Sequence, residues 1–420
     1  MLKINCILKI LELNILIIFT LILTLVFTGK IHSQSDSGRI REDTLTTVKT
    51  NDKEKKKKKE KEKGFIIYSD SGKSSLKVYG EVRLNGALDL NGLQAEEIFN
   101  VYEIQVDVPT SYEKRFYLGV FQSRIGLDAK INTPAGIMNA KIEGDFNGSN
   151  NTFRIRQSFA KINSFLGGKT RSLFGDADAM PTKVDRDGPN FAMSERTIQI
   201  RFEPKIENGI KWGVALENPE ADITGPTNVS VDPYYQSIPP LVSFLQSDFD
   251  DGSHLRLSGI FRNITVRNTN QQLQILQGYG ALFSGKVALN LKNTINFQVF
   301  GGQSIARYVK SYKGEGEDVV FDTLNNVYEP VNCIGGFVSL SHIWGEKLTS
   351  DFTYGLSQLE EIQSQPGTTL NLGYYGSVNL FYRSFSSSEV GIEYSFGKKV
   401  AINEQSGTAN RISFIMFFYI

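Results

Sequence analysis

The strongest constraint on this chain is the stretch Leu76–Leu90, LKVYGEVRLNGALDL. Leu76, Val78, Gly80, Val82, Leu84, Gly86, Leu88 and Leu90 share one parity. Lys77, Tyr79, Glu81, Arg83, Asn85, Ala87 and Asp89 share the other. Successive side chains of a β-strand point to opposite faces, so this strand is apolar on one side and polar on the other. Its fifteen residues are long for a soluble strand. They suit a tilted strand that crosses a bilayer, with lipid outside and water inside.

The pattern recurs. Met138, Ala140, Ile142, Gly144 and Phe146 oppose Asn139, Lys141, Glu143 and Asp145. Phe153, Ile155 and Phe159 oppose Arg154, Arg156 and Ser158; Ile198, Ile200 and Phe202 oppose Thr197, Gln199, Arg201 and Glu203. Trp212, Val214 and Leu216 alternate with Lys211, Gly213, Ala215 and Glu217. At the C-terminus Ile412, Phe414, Met416, Phe418 and Ile420 face Arg411, Ser413 and Tyr419, with Ile415 and Phe417 less polar. Further strands are expected near 117–131, 168–176, 254–265, 277–290, 293–304, 333–345, 348–359, 370–384 and 388–397. That makes about fifteen, and closed bacterial barrels use an even number, so the expectation is about sixteen. Closure follows because an open edge in lipid leaves backbone groups unpaired. Short connections (132–136, 148–151, 345–347, 385–388) alternate with long ones (91–115, 176–195, 219–253, 305–331). The predicted fold is an all-β, transmembrane antiparallel β-barrel. A large soluble β-protein would show the same alternation; strand length, strand number and the N-terminus argue against it.

The N-terminus reads as an export signal over residues 1–33. Lys3 and Lys9 precede the apolar run Ile15–Phe27, and a cleavage point falls near Ser33–Gln34. A retained membrane helix is the rival reading. Residues 34–70 form a charged leader containing DKEKKKKKEKEK (Asp52–Lys63). Such a segment cannot bury apolar surface and is expected to be disordered or weakly helical in the periplasm, solvated or touching anionic headgroups or cell-wall polymer. The barrel domain is then 71–420. Cys6 precedes the apolar run, which leaves Cys333 alone in the mature chain, so no disulfide framework or Cys-ligated metal site is expected.

The whole chain carries 46 Lys+Arg and 45 Asp+Glu. Residues 1–63 hold 14 and 8 of these, so residues 64–420 are net acidic by about five charges. Nothing points to nucleic acid. His32, His254 and His342 are the only histidines, and none sits in a hydrolase-like Ser/His cluster. No enzymatic activity and no cofactor are expected. Asp176, Asp178, Asp185 and Asp187 could hold a divalent cation, although a solvated or pore-facing loop accounts for them as well.

The sharper signal is arginine on the polar parity: Arg83, Arg124, Arg154, Arg156, Arg201, Arg256 and Arg262. An arginine at the lipid midplane costs roughly 2–4 kcal/mol, so this parity belongs to the lumen. Guanidinium forks hold carboxylates bidentately, and a row of them would form a track for anions. The structural alternative pairs them with Glu81, Asp89, Asp128, Glu143, Asp145 and Glu203 on neighbouring strands.

LKVYGEVRLNGALD, FQSRIGLDAK, GIMNAKIEGDFNG, FRIRQSFAKI, GGKTRSLFGD, SERTIQIRFEP and WGVALENPE, in order over roughly residues 76–220, together resemble the DcaP-like outer-membrane porin family. The resemblance implies a sixteen-stranded homotrimeric porin in the outer membrane of a Gram-negative bacterium. Inward loops would constrict its pore and arginines line it, and small anionic solutes such as dicarboxylates would pass. The matching site positions are Arg124, Glu143, Asp145, Arg154 and Arg156, beside Arg83 and Arg201 from the parity argument. Lys169, Thr170 and Arg171 stand where the family often has a glutamine and an aromatic. A lysine–glutamate tract stands where the family can carry a helical periplasmic segment, and the last residue is Ile420 rather than the aromatic typical of barrel proteins. The expected function is passive diffusion of small hydrophilic solutes, with outer-membrane lipid around the barrel and a constricting loop within 176–195 or 219–253. A non-conducting barrel acting as scaffold, adhesin or receptor through its long loops is the competing reading. An outer-membrane hydrolase is the third.

Overall fold

The computed structural model describes residues 64–420 apart from 71, 94–96, 107–113, 207–208, 227–235, 268–271 and 386. The expected export signal and the lysine–glutamate tract lie outside the described residues. A short strand, Phe65–Tyr68, sits within the expected leader and pairs with the first barrel strand (Phe65↔Val78).

Sixteen antiparallel strands close into a barrel. They are β1 (Ser75–Asn91), β2 (Arg115–Gly119 and Arg124–Thr133), β3 (Gly136–Asp145) and β4 (Arg154–Ile162). Then come β5 (Phe165–Arg171), β6 (Arg196–Phe202), β7 (Ile210–Glu217) and β8 (Leu241–Asp248). Next are β9 (His254–Arg267), β10 (Leu273–Ala288), β11 (Asn293–Gln303) and β12 (Asn332–Gly345). The last four are β13 (Leu348–Leu359), β14 (Leu370–Phe385), β15 (Ser388–Ala401) and β16 (Ser406–Tyr419). β16 pairs with β1 in register Leu84↔Met416, which removes the sheet edge.

The accessibility of the two faces decides between a soluble core and a membrane wall. Ile198 and Ile200 are 57% and 70% exposed, while Gln199 between them is 3% exposed. Ile142, Leu245, Leu257 and Phe352 are likewise exposed, and Ser284, Gln298, Ser339 and Glu393 are buried. A soluble protein would put the apolar set inside. Here it faces out, where each such side chain gains roughly 1.5–3 kcal/mol on leaving water for lipid.

Three expectations change. The segment 219–253 contains β8, whose Leu241 and Leu245 face out while Val242 and Phe244 are buried. Apolar residues on both faces erase the alternation that marks a strand. The expected strand over 117–131 is broken at 120–123, where Ser123 Oγ donates to Val120 O and accepts from Arg83 N. The strand expected over 168–176 is β5, which ends at Arg171, because the chain then turns inward.

The connections L1 to L8 leave one end of the barrel; among them L4 spans 218–240, L8 only 402–405, and L2 (146–153) holds the 148–151 segment expected as a turn of the opposite end. Three loops fold inward: L1 (92–114) through its described residues 97–106, L3 (172–195) and L6 (304–331). Phe99, Val101 and Ile104 of L1, Leu173, Phe174, Phe191 and Met193 of L3, and Ile305, Val309 and Tyr312 of L6 form one apolar core inside the wall. L6 runs along L3 through Ser194 N to Tyr308 O (2.9 Å), Lys310 N to Ala192 O (3.1 Å) and Ser311 N to Asn190 O (3.0 Å). The buried Asn190 side chain joins L1, accepting from Val101 N and donating to Phe99 O. L6 also carries a small sheet, Val319–Asp322 with Val327–Pro330, joined by Ile223–Thr224 of L4.

Candidate functional site

L3 is the constricting loop. Asp176, nearly fully buried, accepts from His254 (2.8 Å) on β9, Ser284 Oγ (2.8 Å) on β10 and the Ala179 backbone N–H. Gln298 on β11 donates to Asp176 O and accepts from Met193 N. At the far end of the loop, Glu393 on β15 accepts from Val184 N (3.1 Å) and Asp185 N (3.2 Å). Asn379 on β14 donates to Thr182 O. L3 therefore crosses from β5 to the opposite wall and returns.

Three of the four candidate metal-binding aspartates are used as fasteners, and Asp178 is exposed. Asp176 anchors the loop base, and Asp185 accepts from Phe99 N and Asp187 N and faces Arg411 at 3.7 Å. Arg411 is otherwise held bidentately by Asp89 (2.6 and 2.8 Å). Asp187 pairs with Arg186 at 3.2 Å. Among the described residues, no three His, Cys, Asp or Glu side chains converge as a metal site.

Between L3 and the wall of β1–β4 lies a cavity of about 650 Å³. Arg83, Arg124, Glu143, Arg154 and Arg156, all expected from strand parity, line it. Arg83 and Arg124 share Glu81, at 2.6 and 3.1 Å. Arg154 and Arg156 share Asp145, both at 2.7 Å, and Arg156 also meets Glu143 at 3.4 Å. A register shift between Glu143 and Gly144 adds one residue to β4 and brings both Arg156 and Gln157 inward.

Two expected members stand elsewhere. Asp145 is fully buried behind Arg154 and Arg156 and does not line the cavity. Arg201 faces inward but is spent on Gln199 (3.0 Å) and the Arg171 carbonyl (2.6 Å), tying down the end of β5.

Sequence reasoning missed more cations than it found. Lys169, Arg171, Lys183, Arg186, Arg196, Lys310 and Lys313 line the same cavity. Lys183 and Arg186 sit in the loop expected to constrict the pore, but Lys310 and Lys313 arrive from L6, more than a hundred residues away. In all, eleven basic side chains line this cavity with four carboxylates, and Glu81 and Asp145 behind the lining pair with four of the arginines. The acidic balance of the whole domain does not carry into the eyelet. Burial and the neighbouring Lys310 push the Lys183 amine well down, and both amines donate to the Gly188 carbonyl. Below it, a smaller cavity of about 250 Å³ is balanced, with Lys77, Arg124 and Lys141 against Glu81, Asp128 and Glu143.

A model of the DcaP outer membrane protein family matches residues 44–419. The chain belongs to the DcaP outer membrane protein family. Among solved structures, the DcaP channel of Acinetobacter baumannii superposes with a TM-score of 0.73 at 18% identity, over 84% of this chain and 99% of that one. The anion-selective porin of Comamonas acidovorans follows at TM-score 0.55 and 11% identity, over 83% and 100%. OmpF of Salmonella typhi, in complex with daunomycin, gives 0.55 and 11% over 85% and 100%. At these identities the likeness is one of fold. No functionally curated protein matches at the sequence level. As a DcaP-family barrel, the protein is an outer-membrane porin.

Away from the eyelet, L1 and L6 meet around a shared acid cluster. Tyr102 Oη donates to Glu317 at 2.5 Å, and Gln365 Nε2 to the other oxygen at 2.7 Å. Burial, with Glu103 and Glu317 beside it, raises Glu315 to about 7; burial also raises Glu317 to about 7. A carboxyl whose folded-state pKa exceeds its unfolded value weakens the fold when ionised. The L1–L6 contact should therefore tighten as pH falls below about 7 toward the ordinary carboxyl range, and lose that gain as pH rises through 7. Amide exchange at residues 101–104 should be slower at pH 6 than at pH 8, after correction for intrinsic rates.

Proposed function

We propose that this porin passes small anionic solutes, dicarboxylates among them, through a homotrimer delivered to the outer membrane by cleavage of residues 1–33. The domain division at 33 and 70 belongs to the same reading. The observation that carries it is the excess of basic side chains around the cavity beside L3: eleven line it against four carboxylates, or six with Glu81 and Asp145 behind the lining. At about 4 Å in water each unpaired charge is worth about 1 kcal/mol to an ion of opposite sign. Dispersed lumenal charge of one sign selects in this way without a tight binding site. Arg83, Arg124, Arg154 and Arg156 would form the track, with Glu143 and Asp145 as counter-charges. Arg171 and Arg196 add positive charge with no carboxylate within ion-pair distance among the described residues.

Planar-bilayer recording tests this reading. Purified protein should open stable channels, and a KCl gradient should give a zero-current potential of the sign for chloride preference. Channels with cation preference would overturn the anion reading. Absence of channels would favour the non-conducting scaffold or receptor.

A further inference from the structure

Only Gly64 separates the lysine tract Asp52–Lys63 from the short strand Phe65–Tyr68. That strand pairs along the lower edge of β1: Phe65 opposite Val78, Ile66 opposite Lys77, Ile67 opposite Leu76 and Tyr68 opposite Ser75. The edge is free because β16 stops short of it. The pairing of β16 with β1 ends at Glu81↔Tyr419, and Ile420 N then donates to Gly80 O (2.9 Å). The short strand takes over the place of β16 toward the end of the barrel opposite L1. It covers backbone groups that would otherwise stand unpaired at the membrane boundary.

The register gives this strand a lipid face. Residues directly opposite in an antiparallel pair share one face of the sheet. Val78 and Leu76 belong to the apolar parity of β1, so Phe65 and Ile67 point outward with them, and they are 69% and 59% exposed. Phe165, Trp344 and Phe385 are exposed too, each beside a short connection at this end (163–164, 346–347 and 386–387). Short connections mark the periplasmic end of outer-membrane barrels, and aromatic side chains gather where lipid meets water. Phe65 joins that girdle, which sets the start of its strand at the headgroup boundary.

Gly64 turns the chain off the sheet. It sits at φ +107°, and a Cβ there would lie 2.6 Å from Val78 O. Glycine takes that conformation freely. The next place along the edge of β1, at Gly80, is held by Ile420. The lumenal side is filled, since the same Cβ would meet Tyr79 Cβ at 3.1 Å and Lys77 Cε at 3.4 Å. The small cavity there is balanced in charge and offers a cationic tract no net attraction. Above lies hydrocarbon, which rejects charge. What remains beside Gly64 is the headgroup layer.

The tract suits that layer. It carries eight lysines against four acidic residues. Each net positive charge near an anionic membrane surface multiplies the bound population by about fivefold. An apolar anchor joined to a polybasic segment is the pair of signals that holds a chain on a membrane.

We infer that Phe65–Tyr68 anchors the leader on the lipid side of the barrel and that Asp52–Lys63 binds the headgroups of anionic phospholipids in the periplasmic leaflet. This goes beyond the porin reading and does not depend on conduction. It selects one partner for the tract over bulk water and cell-wall polymer.

The test uses the full mature chain reconstituted in bilayers, with a spin label on the variant K57C. Cys333 is buried and stays unlabelled in the folded protein. Replacing pure phosphatidylcholine by equal parts phosphatidylcholine and phosphatidylglycerol should cut the label's accessibility to a neutral aqueous nickel chelate at least about threefold, and high salt should restore it. Adding K55Q, K56Q, K58Q and K59Q should abolish the lipid dependence. F65S/I67S should weaken it with the charge of the tract intact. Equal accessibility in the two bilayers would overturn the inference. So would protection that appears only when purified peptidoglycan is added, which would assign the tract to the wall polymer. Full lipid dependence in F65S/I67S would remove the anchoring strand from the account. If that variant does not give a folded, heat-modifiable barrel, the lysine variant decides, because it alters no strand. Channels without lipid dependence would sink this contact alone; lipid dependence without channels would sink only the porin reading.

Discussion

Replacing Arg154 and Arg156 together with glutamine should move the zero-current potential toward cations, with the anion-to-cation permeability ratio falling at least about fivefold. Two lost charges at about 1 kcal/mol each in a water-filled eyelet set that scale. The same change strands Asp145, which is fully buried and has both arginines as its ion partners. An uncompensated buried charge of this kind costs about 3–5 kcal/mol, so the double variant should also melt earlier. Adding D145N removes the stranded charge. The triple should regain most of the lost stability while keeping part of the selectivity shift, since its net loss is one positive charge rather than two. An unchanged potential in the folded triple and double would reject the track.

Asp176→Ala should unfasten L3 and raise single-channel conductance, with noisier open levels. The carboxylate holds His254, Ser284 and the Ala179 amide at the base of the loop. Hydrogen bonds to a charged group contribute about 1.5–3 kcal/mol each, and several are lost together. Glu393→Ala frees the other attachment, at Val184 and Asp185, and should act in the same direction. The barrel itself should survive, because both changes remove side chains and leave the backbone ladders in place. Conductance that stays at the native value in both variants would show that the L1 and L6 contacts alone position L3.

Strand parity was legible from the sequence because a membrane wall must separate lipid from water at every residue. Leu76–Leu90 announced it, and Ile198–Gln199–Ile200 shows it at its cleanest. Where both faces meet apolar surroundings, as in β8 with Val242 and Phe244 packed under the loops, the signal vanished. Five of the seven expected site residues line the eyelet for the same reason: parity puts them in the lumen. Asp145 and Arg201 share that parity but are consumed by neighbours, which a one-dimensional pattern does not reveal.

The sequence alone determined the barrel and its inward arginines, since these follow from a period of two and the cost of charge in lipid. Only the tertiary structure decided the charge of the eyelet and the seat of the strand Phe65–Tyr68. Lys183 and Arg186 come from L3, and Lys310 and Lys313 from L6, and they meet the wall because a shared apolar core folds those loops inward. Phe65–Tyr68 finds its seat because β16 stops at Tyr419 and leaves the lower edge of β1 open. Contacts between segments a hundred residues apart leave no local period to read.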